Sequence, residues 1–198
     1  MNATHSPPMK GRTITTANND IHTEPATEEG MPDVHVIGDD HVSPSFAELG
    51  VDQGIVDALG RRGIERTFAI QELTLPLALA GNDLIGQART GMGKTYGFGV
   101  PLLNRLITQA RADVGEDGLR ALDGTPRALI IVPTRELCVQ VTEDLERASD
   151  GVRVQTTKGE RDLKITSIYG GRPYEAQIEA LQKGVDVVVG TPGRLIDL

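Results

Sequence analysis

The stretch Leu84-Ile85-Gly86-Gln87-Ala88-Arg89-Thr90-Gly91-Met92-Gly93-Lys94-Thr95 constrains this chain more than any other. From Ala88 to Thr95 it has the spacing of a Walker A phosphate loop, with Ala88 where the strict pattern has glycine. Gly91 and Gly93 leave out side chains, so successive backbone N–H groups can turn inward around phosphate oxygens. Lys94 supplies a point charge for the outer phosphates, and the Thr95 hydroxyl suits a Mg²⁺ ligand. The flanks agree. Asp83-Leu84-Ile85 reads as a short buried strand, and a helix from Lys94 would aim its N-terminal dipole at the phosphates. The rival reading, an ordinary glycine-rich turn, does not account for that strand–loop–helix context.

Such a loop calls for parallel βαβ units, and the rest of the chain supplies their pattern. Ala128 to Val132 is a continuous apolar run, as expected of a central strand buried on both faces. Further strands are expected at Lys164 to Tyr169 and Val185 to Val189, with a polar connection from Thr156 to Asp162. Helices are expected after a Ser43 cap, from Ile70 to Ala80, from Lys94 to about Arg111 with a kink or break at Pro101, from Thr134 to about Ala148, from Pro173 to Gln182, and from Thr191 onward. This alternation implies an α/β fold: a parallel sheet with helices on both faces and ligands at the carboxyl ends of its strands. The phosphate loop and the turns at Pro133-Thr134, Gly170-Gly171 and Gly190-Thr191 all fall at such ends.

Residues 1–42 differ in kind. They hold two basic residues against seven acidic ones, with no apolar periodicity, and read as a disordered acidic tail ahead of one domain at 43–198. All four histidines lie in the tail at spacings that match no metal site, so the domain's chemistry cannot use histidine. The net charge of −8 argues against coating nucleic acid through bulk charge, yet permits a local basic groove. A single cysteine, Cys138, excludes an internal disulfide framework and fits a reducing compartment. With no apolar run near the length of a membrane span and no signal-peptide core, a cytoplasmic protein is expected.

Several motifs in fixed order resemble those of the DEAD-box ATP-dependent RNA helicases, from Phe46 to the last residue. Ala88-Arg89-Thr90-Gly91-Met92-Gly93-Lys94-Thr95 is similar to that family's phosphate loop, alanine included. Pro133-Thr134-Arg135-Glu136-Leu137 with Gln140 resembles its next motif, and Gly170-Gly171 and Thr191-Pro192-Gly193-Arg194 resemble the two after it. Upstream, Gly63 to Gln71 is similar to the adenine-reading segment, with Phe46 at the isolated upstream aromatic. Two departures stand in that segment: Thr67 where the family has proline, and Phe68 where it has a small hydroxyl residue. Tyr96 and Gly97 also replace the small residues usual after the loop.

The resemblance implies an incomplete RecA-like P-loop domain that binds ATP, Mg²⁺ and single-stranded RNA. Gln71 would hydrogen-bond adenine, Phe46 would stack on it, and Arg66 and residues 88–95 would complete the ATP site. Lys94 and Thr95 would be the catalytic contacts, and Thr95 the Mg²⁺ ligand. Pro133, Thr134, Arg135, Gly170, Gly171, Thr191, Pro192, Gly193 and Arg194 would line an RNA backbone track with little sequence preference. In isolation, Arg135 and Arg194 could instead pair with Glu136 and Asp197 as a solvated surface.

Hydrolysis also needs a carboxylate for the Mg²⁺ shell and an acid to position the attacking water. No strand here ends in Asp-Glu, and the family's Asp-Glu-Ala-Asp would follow Leu198, so the sequence reads as the N-terminal part of a longer helicase, inactive in ATP hydrolysis by itself. Other readings are a non-catalytic nucleotide- or RNA-binding fragment, a P-loop kinase or GTPase, and a DNA-directed helicase of the same superfamily. A GTPase would carry an Asn-Lys-x-Asp base reader, which is absent.

Overall fold

The computed structural model describes residues 12–15, 42–112, 122–156 and 158–198. Of the segment read as a disordered tail, only Arg12–Thr15 and Val42 are described; the rest lies outside the described residues. Arg12–Thr15 forms a strand, β1, parallel to β2 (Leu84–Gln87) in the register Arg12↔Leu84 to Thr15↔Gln87. For these four residues the tail reading is corrected. Thr13-Ile14-Thr15 is a β-branched run, which favours a strand once a partner edge is present.

The first helix, α1 (Gln53–Gly60), opens at Asp52, whose side chain accepts from the Gly54 N–H at 3.0 Å, and not at Ser43. Long-range bonds explain the difference. The Pro44 carbonyl accepts both the N–H (3.0 Å) and the hydroxyl (2.9 Å) of Thr67, and the Ser43 carbonyl accepts from Arg66 Nη1 at 2.7 Å. Residues 43–45 therefore lie beside 66–67, with an antiparallel bridge between Ser45 and Arg66, and a turn begins at Phe46. Threonine at 67 has a physical reason here, since proline could donate neither bond.

Helix α2 (Ala69–Leu79) packs on α3 (Lys94–Ala112), which runs unbroken through Pro101. Proline there leaves the carbonyl four residues earlier without its helical donor. That carbonyl belongs to Gly97, and the Thr74 hydroxyl of α2, whose one proton is shared with the Ile70 carbonyl at 2.7 Å, lies 3.3 Å from it. A Cβ at Gly97 would stand 3.3 Å from the same hydroxyl oxygen, so the bare glycine permits the approach. Tyr96 finds its room on the opposite side, partly buried against the main core.

Strands β3 (Ala128–Ile131), β7 (Val187–Gly190) and β6 (Ile165–Ile168) form a parallel sheet in the order β3-β7-β6. Helices cover both faces. Val187 and Val189 join the main core with Leu145 of α4 (Arg135–Ala148), while Val188 packs with Leu181 of α5 (Tyr174–Gln182) and Leu195 of α6 (Pro192–Asp197). The doubly buried central strand is thus β7, not β3. At the sheet's edge β3 alternates, with Ile130 buried and Leu129 and Ile131 56% and 61% exposed. The loop-bearing β2 bonds to β1 rather than to β3, so the described strands make three small sheets.

The polar stretch expected as a connection holds an antiparallel pair, β4 (Arg153–Thr156) and β5 (Gly159–Asp162). Its signal is faint because Val154 and Thr156 are its only buried positions. Asp186, fully buried ahead of β7, ties this hairpin to the sheet: its carboxylate accepts two bonds from Arg161 (2.6 and 2.8 Å) and one from the Lys164 N–H (2.8 Å). Among the described residues, no helix is long and apolar enough to cross a membrane.

Candidate functional site

Two clusters of side chains stand out, both at loops that follow strand ends. The first is the phosphate loop between β2 and α3. Gly91 and Gly93 have φ of 83° and 74°, the left-handed region where a Cβ is penalised. These angles turn the backbone inward ahead of Lys94, the first residue of α3. Lys94 Nζ donates to the loop's own carbonyls, Ala88 O at 2.7 Å and Arg89 O at 2.8 Å, and keeps one of its three protons for another acceptor. A phosphate arriving in the loop would compete with these carbonyls for an ammonium already positioned beside it.

Gln71 lies behind the loop, 1% exposed. Its Oε1 accepts from the Phe68 N–H at 3.0 Å, and its Nε2 donates to the Gly93 carbonyl at 2.8 Å. The amide thus joins the start of α2 to the phosphate loop, and one amide hydrogen and one oxygen lone pair remain. Phe46, expected to stack on a base, is 1% exposed within the main core, where neither face of its ring is open to a ligand. The stacking assignment is corrected on that ground. An isolated aromatic in sequence gave no sign that the main core would close over it. Arg66 is exposed and holds the Ser43 carbonyl.

Thr95 introduces a residue that sequence reading missed. Asp144 of α4 stands beside it and pairs with Arg147 at 3.1 Å; burial pushes the Asp144 carboxyl up from its ordinary value, and the charge of Arg147, then polar contact with Arg147 and Thr95, act against that rise. Tyr96, beside them, is raised as well, chiefly by burial and next by the charge of Asp144. The signal existed only as spacing between two helices, which a single sequence does not show. Among the described residues, no group of three His, Cys, Asp or Glu could hold a metal ion alone. The Thr95 hydroxyl fits Mg²⁺, which keeps waters and takes its other ligands from phosphates.

The second cluster is a groove at the carboxyl edge of the β3-β7-β6 sheet. Ile131, Gly190 and Ile168 are register partners, so the turns after them emerge side by side. Pro133, Thr134, Arg135, Gly170, Thr191 and Arg194 are among the residues that line it, with Gly193. Thr134 caps α4, its hydroxyl accepting from the Leu137 N–H at 3.2 Å, which places Arg135 on the first turn. The Arg135 guanidinium lies across Gly170-Gly171: a Cβ at Gly171, where φ is 87°, would come within 2.5 Å of Nη1. Arg194 rests on the Tyr174 ring, 4.0 Å from its centroid, and donates to the Arg172 carbonyl at 3.1 Å. Polar contact with Asp197 raises the Tyr174 phenol above its ordinary pKa. Glu136 and Asp197 also line the groove, but neither Arg135 nor Arg194 has an ion pair among the described residues. Both guanidiniums keep donors for an anionic ligand.

Comparisons with known proteins point the same way. A family model described as DEAD/DEAH box helicase matches residues 68–198. The chain is 41% identical over 152 residues to the ATP-dependent RNA helicase CshA of Listeria monocytogenes, covering 77% of this chain and 25% of that protein. It is 42% identical over 160 residues to the chloroplastic DEAD-box ATP-dependent RNA helicase 3B of Zea mays, covering 80% and 19%. The chain therefore spans a quarter or less of these relatives. Among solved structures, a DEAD box protein from Methanococcus jannaschii superposes with a TM-score of 0.60 at 36% identity, covering 77% of this chain and 36% of that one. A hypothetical ATP-dependent RNA helicase from Sulfolobus tokodaii gives 0.58 at 31%, covering 74% and 36%.

Proposed function

The chain belongs to the DEAD/DEAH box helicase family, and from that premise we propose that it is the ATP-holding and RNA-holding part of an ATP-dependent RNA helicase. The observation that carries the RNA half is the register of β3, β7 and β6, which assembles Arg135, Gly170, Thr191 and Arg194 from three separate turns into one groove. Guanidiniums, a hydroxyl and bare glycine backbone suit phosphate and ribose, which gives grip without sequence reading. The other half is the loop from Ala88 to Thr95, whose left-handed glycines and Lys94 suit a triphosphate. The Thr95 hydroxyl would hold Mg²⁺, and the ion would supply charge neutralisation to the phosphates. Gln71, 1% exposed behind the loop, would serve the ATP site by holding Gly93 to the start of α2. In the whole protein, ATP and RNA would be held together and hydrolysis would release the strand. A reducing, cytoplasmic setting is supported by the single buried thiol of Cys138.

Binding to the chain with two variants tests this reading. Lys94→Ala should abolish ATP–Mg binding and leave single-stranded RNA affinity unchanged. Arg194→Ala should weaken RNA of any sequence and flatten the log affinity against log salt slope by about one. RNA binding and a salt slope untouched by loss of Arg194 would rule out the groove as the RNA track.

A further inference from the structure

Phe68 is an aromatic side chain left in the open, 53% exposed, at the edge of the phosphate loop. The fold fixes it there. Its N–H donates to Gln71 Oε1 at 3.0 Å, and its carbonyl accepts the N–H groups of Gln71 and Glu72, each at 2.9 Å. The ring reaches the loop itself: a Cβ built on Gly93 would come within 2.5 Å of its Cδ2. Gln71 Nε2 holds the carbonyl of that same glycine at 2.8 Å. Ring and loop are therefore one unit, joined through a buried amide.

Exposure of one ring is ordinary; what singles out Phe68 is that its open ring lies against a glycine of the loop that suits a triphosphate, within reach of whatever the phosphates carry. The other aromatic residues are placed differently. Phe46 is in the core, Tyr96 is partly buried against it, and Phe98, 42% exposed, lines the cleft that Gly86 and Lys94 share, whereas the Phe68 ring lies against Gly93 of the loop itself. Tyr169 and Tyr174 are stacked by Arg172 and Arg194 at the groove. Family resemblance puts a small hydroxyl residue at this position, so the ring is a feature of this chain.

We propose that Phe68 is the stacking platform for the base of the nucleotide whose phosphates the loop holds, and that it ranks purines above pyrimidines. The proposal rests on the phosphate-loop reading above. Stacking gains scale with the π surface covered and need no hydrogen-bond code, so a bicyclic base gains more than a monocyclic one. With the Phe68 backbone already fixed at the start of α2, only the two side-chain torsions of the ring are left to order when the base arrives. Gln71 is then a positioning residue, setting the ring against the loop.

The test is calorimetric titration of the 198-residue chain and its Phe68→Ala, Phe68→Ser and Phe68→Tyr variants with Mg²⁺ and ATP, CTP or inorganic tripolyphosphate. Loss of the ring should weaken ATP about tenfold and CTP less. Tripolyphosphate should bind all four proteins equally, and Phe68→Tyr should keep the original ATP affinity. Three results would overturn the proposal: equal losses for ATP and tripolyphosphate, unchanged ATP affinity, or tighter ATP binding once the ring is gone. The first would make Phe68 a support of loop shape, and the last an obstruction. If neither triphosphate binds in a Lys94-dependent way, the phosphate-loop reading fails and this proposal falls with it.

Discussion

Phe46 and Gln71 are both 1% exposed, and burial gives an apolar ring and a hydrogen-bonding amide different tasks. Phe46 is sealed in the core, so Phe46→Ala should destabilise the fold by about 3–5 kcal/mol. Nucleotide affinity of the folded fraction should then fall alike for ATP and for tripolyphosphate, or not at all. Gln71 bridges Phe68 and Gly93. Gln71→Ala would leave the Phe68 N–H without its acceptor, at about 1–3 kcal/mol, while the Gly93 carbonyl would keep the Gly97 N–H at 3.2 Å and lose its tie to α2. The Gln71 variant should therefore lose affinity for tripolyphosphate as well as for ATP. Loss confined to ATP would mean that the amide acts on the base alone. Competition titrations with the two ligands separate these outcomes.

At the scale of elements, the β4–β5 hairpin is held to the parallel sheet by few apolar contacts and one buried ion pair. Arg161 on β5 makes two bonds to Asp186, and the pair raises the Arg161 pKa, through the hydrogen bonds first. Removing one partner of a buried pair leaves the other charge uncompensated, typically at about 3–5 kcal/mol. Asp186→Ala also strips the Lys164 N–H of its acceptor at the start of β6. Its unfolding midpoint in urea should drop sharply, with hydrogen exchange accelerated first in β4 and β5. Asp186→Asn should fall between, since it still accepts from Lys164. The α2–α3 contact is built differently. Pro101, Gly97 and Thr74 form a matched set in which a hydroxyl on one helix lies beside the carbonyl that a proline frees on the other.

Across the whole molecule, binding groups and hydrolytic groups are unevenly represented. The loop offers Lys94 and Thr95, and the groove offers two arginines, against a net charge of −8. The carboxylate beside Thr95, that of Asp144, is itself bonded to Arg147, and no cluster of three metal-ligating groups occurs among the described residues. Phosphoryl transfer to water needs a positioned water and charge stabilisation beyond the loop. The 198-residue chain should therefore bind ATP–Mg and yet release phosphate no faster than its Lys94→Ala variant, with or without RNA. RNA-stimulated release that disappears with Lys94 would show that a carboxylate already present positions the water.

What the sequence determined by itself was the order of chemistry along the chain: the loop at 88–95, the alternation of strands and helices, and the turns that carry Arg135, Gly170 and Thr191. These are local signals, since glycine spacing, apolar runs and caps act within a few residues of themselves. Tertiary structure decided which strand is central, because burial on both faces depends on neighbours and not on composition; Val187 to Gly190 and Ala128 to Ile131 are both continuous in sequence, yet only the first is fully covered. It also decided the fate of the aromatic residues. Phe46 and Phe68 are equally apolar, and long-range closure buried one in the core while backbone bonds at the start of α2 held the other open beside the phosphate loop.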